Sequence, residues 1–372
     1  MLEDCHLPPF DPHSFLAFTD YWRHKHIDLG TKPDMKLVTL IKKDDPNSTQ
    51  HIGVLLDNGQ RIAILQAGIE AMTGSPSPFF IDMLAFLRGD TAARDEAHAV
   101  VEYITGQHPP DSIVASDSVT LLAPVPRPES IRDYMGFEQH IINCIRAAGL
   151  KKLAPFDEWV EKNFGRKRSI AYRLNKAWYD RPIYYKGNRF SVVGSDTPVH
   201  MPAYTKKLDY ELEWGIFTGK SGVDIPKERA FQYIGGYTIF NDFSARDIQM
   251  EEMAGRLGPT KGKDFDTGNT MGPCLVTPDE IPDPYDLTMV ARVNGEEWSR
   301  GTSADTTWTF EDIIAYVSQS ETIHPGEFFG SGTCSGAQGR GCGLEMGKFL
   351  KVGDVIELEV EKIGILRNRI EE

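Results

Sequence analysis

Three acidic side chains alternate with apolar ones along residues 208–217. In a β-strand, successive side chains point to opposite faces, so Asp209, Glu211 and Glu213 would share one face. The other face is apolar and would pack against a core: Leu208, Tyr210, Leu212, Trp214 and Ile216. Carboxylates two residues apart repel each other unless water screens them or a cation joins them. The pattern is therefore typical either of a solvated acidic strand face or of a metal site.

A further carboxylate, Asp242, favours the metal site. The apolar run 237–240 reads as a strand that ends at Asn241 and Asp242 and passes into a helical pattern over 244–257. A carboxylate at a strand end can converge on those of segment 208–217. Oxygen ligands suit Mg²⁺, Mn²⁺ or Ca²⁺ and argue against zinc or copper.

Asp242, Arg246 and Gln249 have the i, i+4, i+7 spacing of one helical face. That spacing would place a cation and an amide beside the carboxylate, aimed at one pocket. The alternative is an ordinary surface salt bridge between Asp242 and Arg246, worth a few tenths of a kcal/mol. The spacing alone does not separate these interpretations.

A glycine-rich segment occupies residues 330–343. A dinucleotide-binding loop requires a strand before it and a helix opening from it, but the pattern that follows here is strand-like. We expect instead that the glycines let backbone N–H groups approach a ligand closely.

The elements that must position these residues form an α+β pattern. Strands are predicted at 36–41, 51–56 and 61–65, with a hairpin turn at Asn58-Gly59, and helices at 79–87 and 91–104. Later predictions are helices at 141–148 and 309–319, strands at 274–277 and 287–293 with a turn at Asn294-Gly295, and a β-like tail at 349–365.

Proline clusters at 109–110 and 124–128 indicate a domain boundary. We predict an N-terminal extension at 1–34, a small α+β domain at 35–123 and a larger domain at 124–372. The larger domain contains a charged, aromatic insertion at about 150–181, whose basic part, 162–168, is either a solvated helix or a lid that steers an anionic substrate.

The net charge, the apolar runs and the cysteine count limit the class of protein. A net charge of −14 argues against nucleic acid or an anionic membrane as the main partner. No apolar run reaches the roughly 20 residues of a membrane helix, and the acidic N-terminus lacks a signal-peptide pattern. Five cysteines without a Cys-x-x-Cys pair are typical of reduced thiols. We predict a cytoplasmic protein.

Several of these motifs together resemble the fumarylacetoacetate hydrolase family over about residues 36–370. In the family's order they are LDYELE at 208–213, NDFSARDIQ at 241–249, GK at 262–263, GTCSG at 332–336, and VGD at 352–354 with IG at 363–364. The resemblance implies an α+β fold with a C-terminal domain of mixed strands rolled into a distorted barrel, a small α+β N-terminal domain, and a homodimer.

The resemblance also implies a site. Its members bind Mg²⁺ or Mn²⁺, which would be held here by Glu211, Glu213 and Asp242, with Asp133 as a further ligand. The catalytic set implied is His140, oriented by Glu345, with Arg246 and Lys263. Implied substrate contacts are Tyr185, Gln249 and Thr333.

These expectations lead to a carbon–carbon bond hydrolase acting on a small anionic 1,3-dicarbonyl or 2-oxo acid. His140 would remove a proton from water, and the resulting enolate charge would be stabilised by the metal, Arg246 and Lys263. The family also contains decarboxylases, hydratases and isomerases with the same enolate chemistry, and a silent metal-binding protein is a further alternative. Met135 and Phe137 replace tyrosines found in close relatives, which leaves the substrate open.

Overall fold

A computed structural model describes residues 35–336 and 339–372. The predicted extension at 1–34 lies outside the described residues. No helix within the described ranges combines the length and the apolar composition needed to cross a bilayer.

The strands are distributed along the whole described chain. They are β1 Lys36–Lys42, β2 Gln50–Leu56, β3 Arg61–Ile64, β4 Ile113–Ala115, β5 Val119–Leu121, β6 Ile131–Tyr134, β7 Tyr184–Lys186, β8 Val192–Val193, β9 Val199–His200, β10 Leu208–Asp209, β11 Glu213–Thr218, β12 Ile234–Asp242, β13 Ser244–Ala245, β14 Asn269–Val276, β15 Thr288–Val293, β16 Glu296–Thr302, β17 Phe328–Gly330, β18 Val355–Val360 and β19 Gly364–Glu371.

The α-helices are short, except for one of 25 residues. They are α1 Leu65–Thr73, α2 Met83–Gln107, α3 Glu138–Cys144, α4 Ala154–Phe164, α5 Ile170–Leu174, α6 Lys176–Asp180, α7 Lys227–Ala230, α8 Arg246–Met253, α9 Phe310–Val317 and α10 Gly343–Met346.

A mixed twelve-stranded sheet is the framework of the site. Its order is β4-β3-β2-β1-β14-β12-β11-β17-β6-β7, with β5 beside β1 and β8 beside β14. A five-stranded sheet, β16-β15-β18-β19-β9, packs on it mainly through β14 and β19. The α+β class with mixed strands is confirmed, and the described strands form open sheets with no closed barrel among them. Since β1 pairs with β14, strands from both sides of the predicted boundary at 123/124 share the sheet; the division into domains stays a prediction.

Both predicted hairpins are confirmed, because β2 pairs antiparallel with β3 and β15 with β16. The two helices predicted at 79–87 and 91–104 correspond to α2, which is interrupted at Asp90, where φ is +49°. The helix predicted at 309–319 is α9, and it begins with a reciprocal capping box between Thr309 and Asp312.

The acidic segment is not one continuous strand with a wet face. Regular pairing holds for β10 and β11 but is interrupted between them, and the segment is buried on both faces. A solvated acidic face is therefore excluded. The helix predicted at 244–257 begins only at Arg246, because Ser244 and Ala245 pair with β10 as β13.

Candidate active site

Asp133, Glu211 and Glu213 form a buried acid cluster at the end of the large sheet that contains β11, β17 and β6. One carboxylate oxygen from each lies within 4.8 Å of the others. Glu213 begins β11, and Asp133 lies on β6, opposite Gly330 of β17. Since a Cβ at Gly330 would lie 2.3 Å from Oδ1 of Asp133, only glycine leaves room for that carboxylate.

Asp242 borders the acid cluster from the end of β12 and is fully buried. Lys263 contacts both the acid cluster and Asp242, because its Nζ lies 2.6 Å from Oε2 of Glu211 and also donates to Asp242 Oδ2. Arg246 donates to Glu211 Oε1 over 2.8 Å and to Asp209 Oδ2 over 2.7 Å. The predicted cations Lys263 and Arg246 thus lie beside the predicted ligands.

The positive charges of Lys263 and Arg246 do not balance the negative charges of the buried carboxylates around them. Burial and the nearby Asp242 raise the pKa of Asp133 well above its ordinary value, and burial and Asp133 do the same for Glu213. Burial raises the pKa of Asp242 to about 6 despite Lys263. Burial also opposes ionisation of Glu211, but Lys263 and Arg246 outweigh it and lower its pKa. The site is short of positive charge.

Unpartnered oxygens lead to the same conclusion. Oδ1 of Asp133 and Oδ1 of Asp242 are buried and accept no hydrogen bond within the described residues. A buried carboxylate oxygen without a partner is costly. These oxygens, with Glu211 and Glu213, fit an oxygen-preferring divalent cation.

His140 and Glu345 form a buried pair, with His140 Nδ1 2.7 Å from Glu345 Oε1. Ser335 donates to Oε1 over 2.6 Å and Asn143 to Oε2 over 2.5 Å, so the carboxylate is fixed. Burial lowers the pKa of His140, but hydrogen bonds with Cys342 and Glu345 outweigh it and raise the pKa to about 10. The structure thus brings together the two residues that the resemblance pairs.

The three predicted substrate contacts all touch the charged groups. Tyr185 donates to Asp242 Oδ2 over 2.5 Å, and Gln249 accepts from Arg246 over 2.9 Å. Thr333 lies 3.3 Å from Glu213 Oε1. Their roles toward a substrate stay predictions.

One geometric prediction is wrong. Asp242 does not share a helical face with Arg246 and Gln249, because it ends strand β12 and α8 begins only at Arg246. Arg246 and Gln249 do meet on α8, and Lys263 rather than the helix joins Asp242 to the group.

The glycine-rich segment approaches the protein's own carboxylates. Gly332 N–H donates to Glu213 Oε2 over 3.0 Å, with φ at +77°. Gly343 and Leu344 N–H donate to Asp209 over 2.7 and 2.9 Å. These backbone contacts fix side chains of the site, whereas the close approach to a ligand that we expected of these glycines stays a prediction.

Sequence reasoning missed three supporting residues. Asp209 was recognised only as part of the acidic pattern, yet it anchors both Arg246 and the start of α10. Asn143 had a usable signal, since it lies one helical turn after His140. Ser335 had none, because its contact with Glu345 depends on the path of an irregular segment.

The insertion lies against the helix that carries His140. Arg166 donates to Glu138 over 2.6 Å and to Gln139 over 2.7 Å. Trp178 is fully buried and donates to the carbonyl of Met135 over 2.5 Å. The lid role of residues 162–168 stays a prediction.

Comparison with known proteins places this site in a family. A family model described as "Fumarylacetoacetate (FAA) hydrolase C-terminal" matches residues 157–371. Oxaloacetate tautomerase fahd2, mitochondrial, from Xenopus laevis is 30% identical over 346 residues, covering 93% of each chain. The chain belongs to the fumarylacetoacetate hydrolase family. It is an enzyme of that superfamily.

A bacterial relative and a solved structure are also similar to this chain. Oxaloacetate tautomerase YisK from Bacillus subtilis (strain 168) is 32% identical over 266 residues, covering 62% of this chain and 86% of its own. The structure of fumarylacetoacetate hydrolase from Exiguobacterium antarcticum superposes with a TM-score of 0.63 at 23% identity, covering 91% of this chain and 99% of that one. The latter likeness shows the fold alone.

Proposed function

We propose that this enzyme catalyses the keto–enol tautomerisation of a small 2-oxo dicarboxylic acid of the oxaloacetate class. The observation that carries the proposal is the buried acid cluster, short of positive charge, together with the buried His140–Glu345 pair. Relatives named as oxaloacetate tautomerases, one of them matched over 93% of both chains, support the substrate class. Carbon–carbon bond hydrolysis becomes the second candidate.

We propose Mg²⁺ or Mn²⁺ as the cofactor, held by Asp133, Glu211, Glu213 and Asp242. Oxygen ligands also suit Ca²⁺, but Mg²⁺ and Mn²⁺ are the ions expected from the family resemblance. When bound, the ion supplies Lewis acidity to the substrate's oxygen atoms.

Arg246 and Lys263 supply fixed positive charge beside the carboxylates. Both are almost completely buried, so their fields are weakly screened and favour an anionic substrate. This is the electrostatic stabilisation that an enolate requires.

His140 is the residue we propose to move the proton. With its pKa raised to about 10, the ring is protonated at neutral pH. Nδ1–H is held by Glu345, which leaves Nε2 to give a proton to the substrate carbon. In the enol-to-keto direction, Nε2 gives its proton to the carbon, and the proton lost by the enol oxygen restores the protonated ring, so no water is consumed and no carbon–carbon bond breaks.

The same pair supports hydrolysis less well. A hydrolase needs His140 as a base that takes a proton from water, whereas the contacts with Cys342 and Glu345 raise the pKa of His140 and favour the protonated ring. The pairing of His140 with Glu345 is nevertheless what the resemblance to hydrolases implies, so hydrolysis is tested in parallel.

The experiment is an assay of the Mg²⁺-loaded protein with three substrates. Faster decay of the oxaloacetate enol, seen by ultraviolet absorbance, supports the tautomerase. Cleavage of fumarylacetoacetate or an acylpyruvate supports the hydrolase, and CO₂ release a decarboxylase. Tight metal binding with none of these reactions would contradict both candidates and favour the silent metal-binding alternative.

The assay is decisive only with matched variants. His140→Ala should keep the metal and lose turnover, whereas Glu96→Gln, which alters a half-buried carboxylate bonded to Ser77, should behave as wild type. Undiminished turnover in His140→Ala would refute its role in proton transfer. The homodimer and the cytoplasmic location stay predictions, for which sedimentation and cell fractionation are the tests.

A further inference from the structure

Two free thiols lie beside the His140–Glu345 pair, one against each member. Cys144 Sγ is 3.6 Å from Nε2 and 3.7 Å from Nδ1 of His140, so the sulfur packs against the imidazole ring. Cys342 Sγ is 3.7 Å from Glu345 Oε1. The two sulfur atoms are not bonded to each other, yet they lie within 4.8 Å of one another. The proposed reaction uses neither thiol.

The two cysteines belong to the two segments that carry the pair. Cys144 ends α3, one helical turn after His140, and Cys342 directly precedes α10, which carries Glu345. The two helices are in direct contact. A bond between the two sulfurs would therefore link the helix of the proposed proton donor to the helix of its carboxylate partner.

The two thiols differ in their access to solvent. Cys144 is half-buried, whereas Cys342 is fully buried. Burial raises the pKa of Cys342 well above its ordinary value, so this side chain stays a thiol at neutral pH and is not the first to be oxidised. An oxidant that arrives from solvent reaches Cys144 first, and Cys342 is the neighbouring thiol that can react with the product.

We propose that hydrogen peroxide converts Cys144 and Cys342 into a disulfide, and that this modification reversibly inhibits the enzyme. Peroxide oxidises Cys144 Sγ to a sulfenic acid and is itself reduced to water. Cys342 Sγ then attacks that sulfur: the S–S bond forms, the S–OH bond breaks, and the thiol proton of Cys342 leaves with the hydroxyl group as a second water. The two thiols give two electrons to one peroxide, and a thiol reductant reverses the change.

Inhibition follows from the length of the new bond. A disulfide bond is about 2 Å long, so at least one of the two free sulfurs must move toward the other when it forms. The sulfur against His140 and the sulfur beside Glu345 then cannot both keep their positions, and the pair that orients the imidazole is disturbed. The bond itself depends on the placement of the two thiols, whereas its inhibitory effect rests on the proposed function, in which His140 moves the proton.

The first test detects the bond without any substrate. The reduced, full-length protein is treated with hydrogen peroxide, the remaining thiols are alkylated, and unreduced peptides are mapped by mass spectrometry. We expect one linked pair of peptides, containing Cys144 and Cys342, that has lost two hydrogen atoms and is separated by dithiothreitol. A link between other cysteines, or oxidation of Cys144 without a link, would overturn the disulfide.

Matched cysteine variants assign the two steps. Cys144→Ser and Cys342→Ser should form no link, whereas Cys274→Ser should form it as wild type does, since Cys274 is a buried thiol of β14 outside the group. Dimedone, which labels sulfenic acids, should label Cys144 in Cys342→Ser, and a label on another cysteine would overturn the order of the steps. Should Cys342→Ser not fold, a brief treatment of wild type with peroxide and dimedone together replaces it.

The second test measures turnover before and after treatment with peroxide. The Mg²⁺-loaded wild type and Cys274→Ser should lose turnover and regain it with dithiothreitol, whereas Cys144→Ser should keep the turnover that it had before treatment. Equal loss in all three would assign the effect to another oxidation and overturn the inhibitory role. A link between Cys144 and Cys342 in a protein without tautomerase activity would uphold the modification while the proposed function failed.

Discussion

Replacing Glu345 with glutamine tests whether its carboxylate holds the proton on His140. Glutamine keeps the size of the side chain and can keep the contacts with Ser335 and Asn143, but it removes the charge. The pKa of His140 should then fall well below its present value, because burial lowers it and, of the two groups that oppose burial, Cys342 and Glu345, the second has lost its charge.

The size of the effect follows from the structure. Raising the pKa of His140 from 6.5 to about 10 corresponds to about 5 kcal/mol. Two unit charges about 3 Å apart attract each other by roughly 5 kcal/mol at an effective dielectric constant of about 20. Glu345, 2.7 Å from Nδ1, therefore makes a contribution of the same size as the whole shift, beside that of Cys342 and against the opposing effect of burial.

The pH dependence of stability has a defined sign. Because the folded-state pKa of His140 is raised, its contribution is complete below pH 6.5 and is lost as the pH rises toward about 10. Because the pKa of Glu345 is lowered from 4.5, its contribution is present above that pH and lost as the pH falls. Glu345→Gln should therefore reduce the free energy of unfolding most between about pH 4.5 and 6.5.

The measurements are an NMR titration of the histidine rings and urea unfolding at several pH values, both on metal-free protein. His51 is an internal reference, and its titration should not change. Glu96→Gln removes a charge elsewhere and should leave the pKa of His140 in place. A His140 pKa that stays near 10 in Glu345→Gln would refute the reasoning.

Three further substitutions test the acid cluster and its surroundings. Glu211→Gln should remove metal binding and activity together, since it takes a charge from the centre of the cluster; isothermal titration with Mg²⁺ checks this, and retained binding would count against the ligand set. Gly330→Ala should weaken metal binding and destabilise the fold by about 1 to 3 kcal/mol, because its Cβ meets Oδ1 of Asp133 at 2.3 Å. Gly106→Ala is the control: its Cβ meets nothing within 4 Å, so in α2 it should stabilise by roughly 0.5 to 1 kcal/mol. Equal stability changes in the two alanine variants, seen by urea unfolding, would contradict this explanation.

Local patterns were sufficient for much of the fold. The hairpins at Asn58-Gly59 and Asn294-Gly295 depend on short-range turn chemistry, so the sequence predicted both. The start of α8 was misplaced by two residues, because Ser244 and Ala245 pair with a distant strand, and no local pattern indicates that pairing. The acidic segment was expected to be one strand, and its interruption depends on the glycine-rich segment beside it.

The residues of the site also show which features are local and which depend on the tertiary structure. By itself, the sequence determined the residue types and the alternation of Asp209, Glu211 and Glu213, because side-chain direction along an extended segment is a local property. Only the tertiary structure decided which charges meet. His140 and Glu345 are 205 residues apart, and Asp133 faces Gly330 because β6 and β17 pair in parallel. Contacts of this range depend on strand order and register, which are set by packing of the whole core rather than by neighbouring residues.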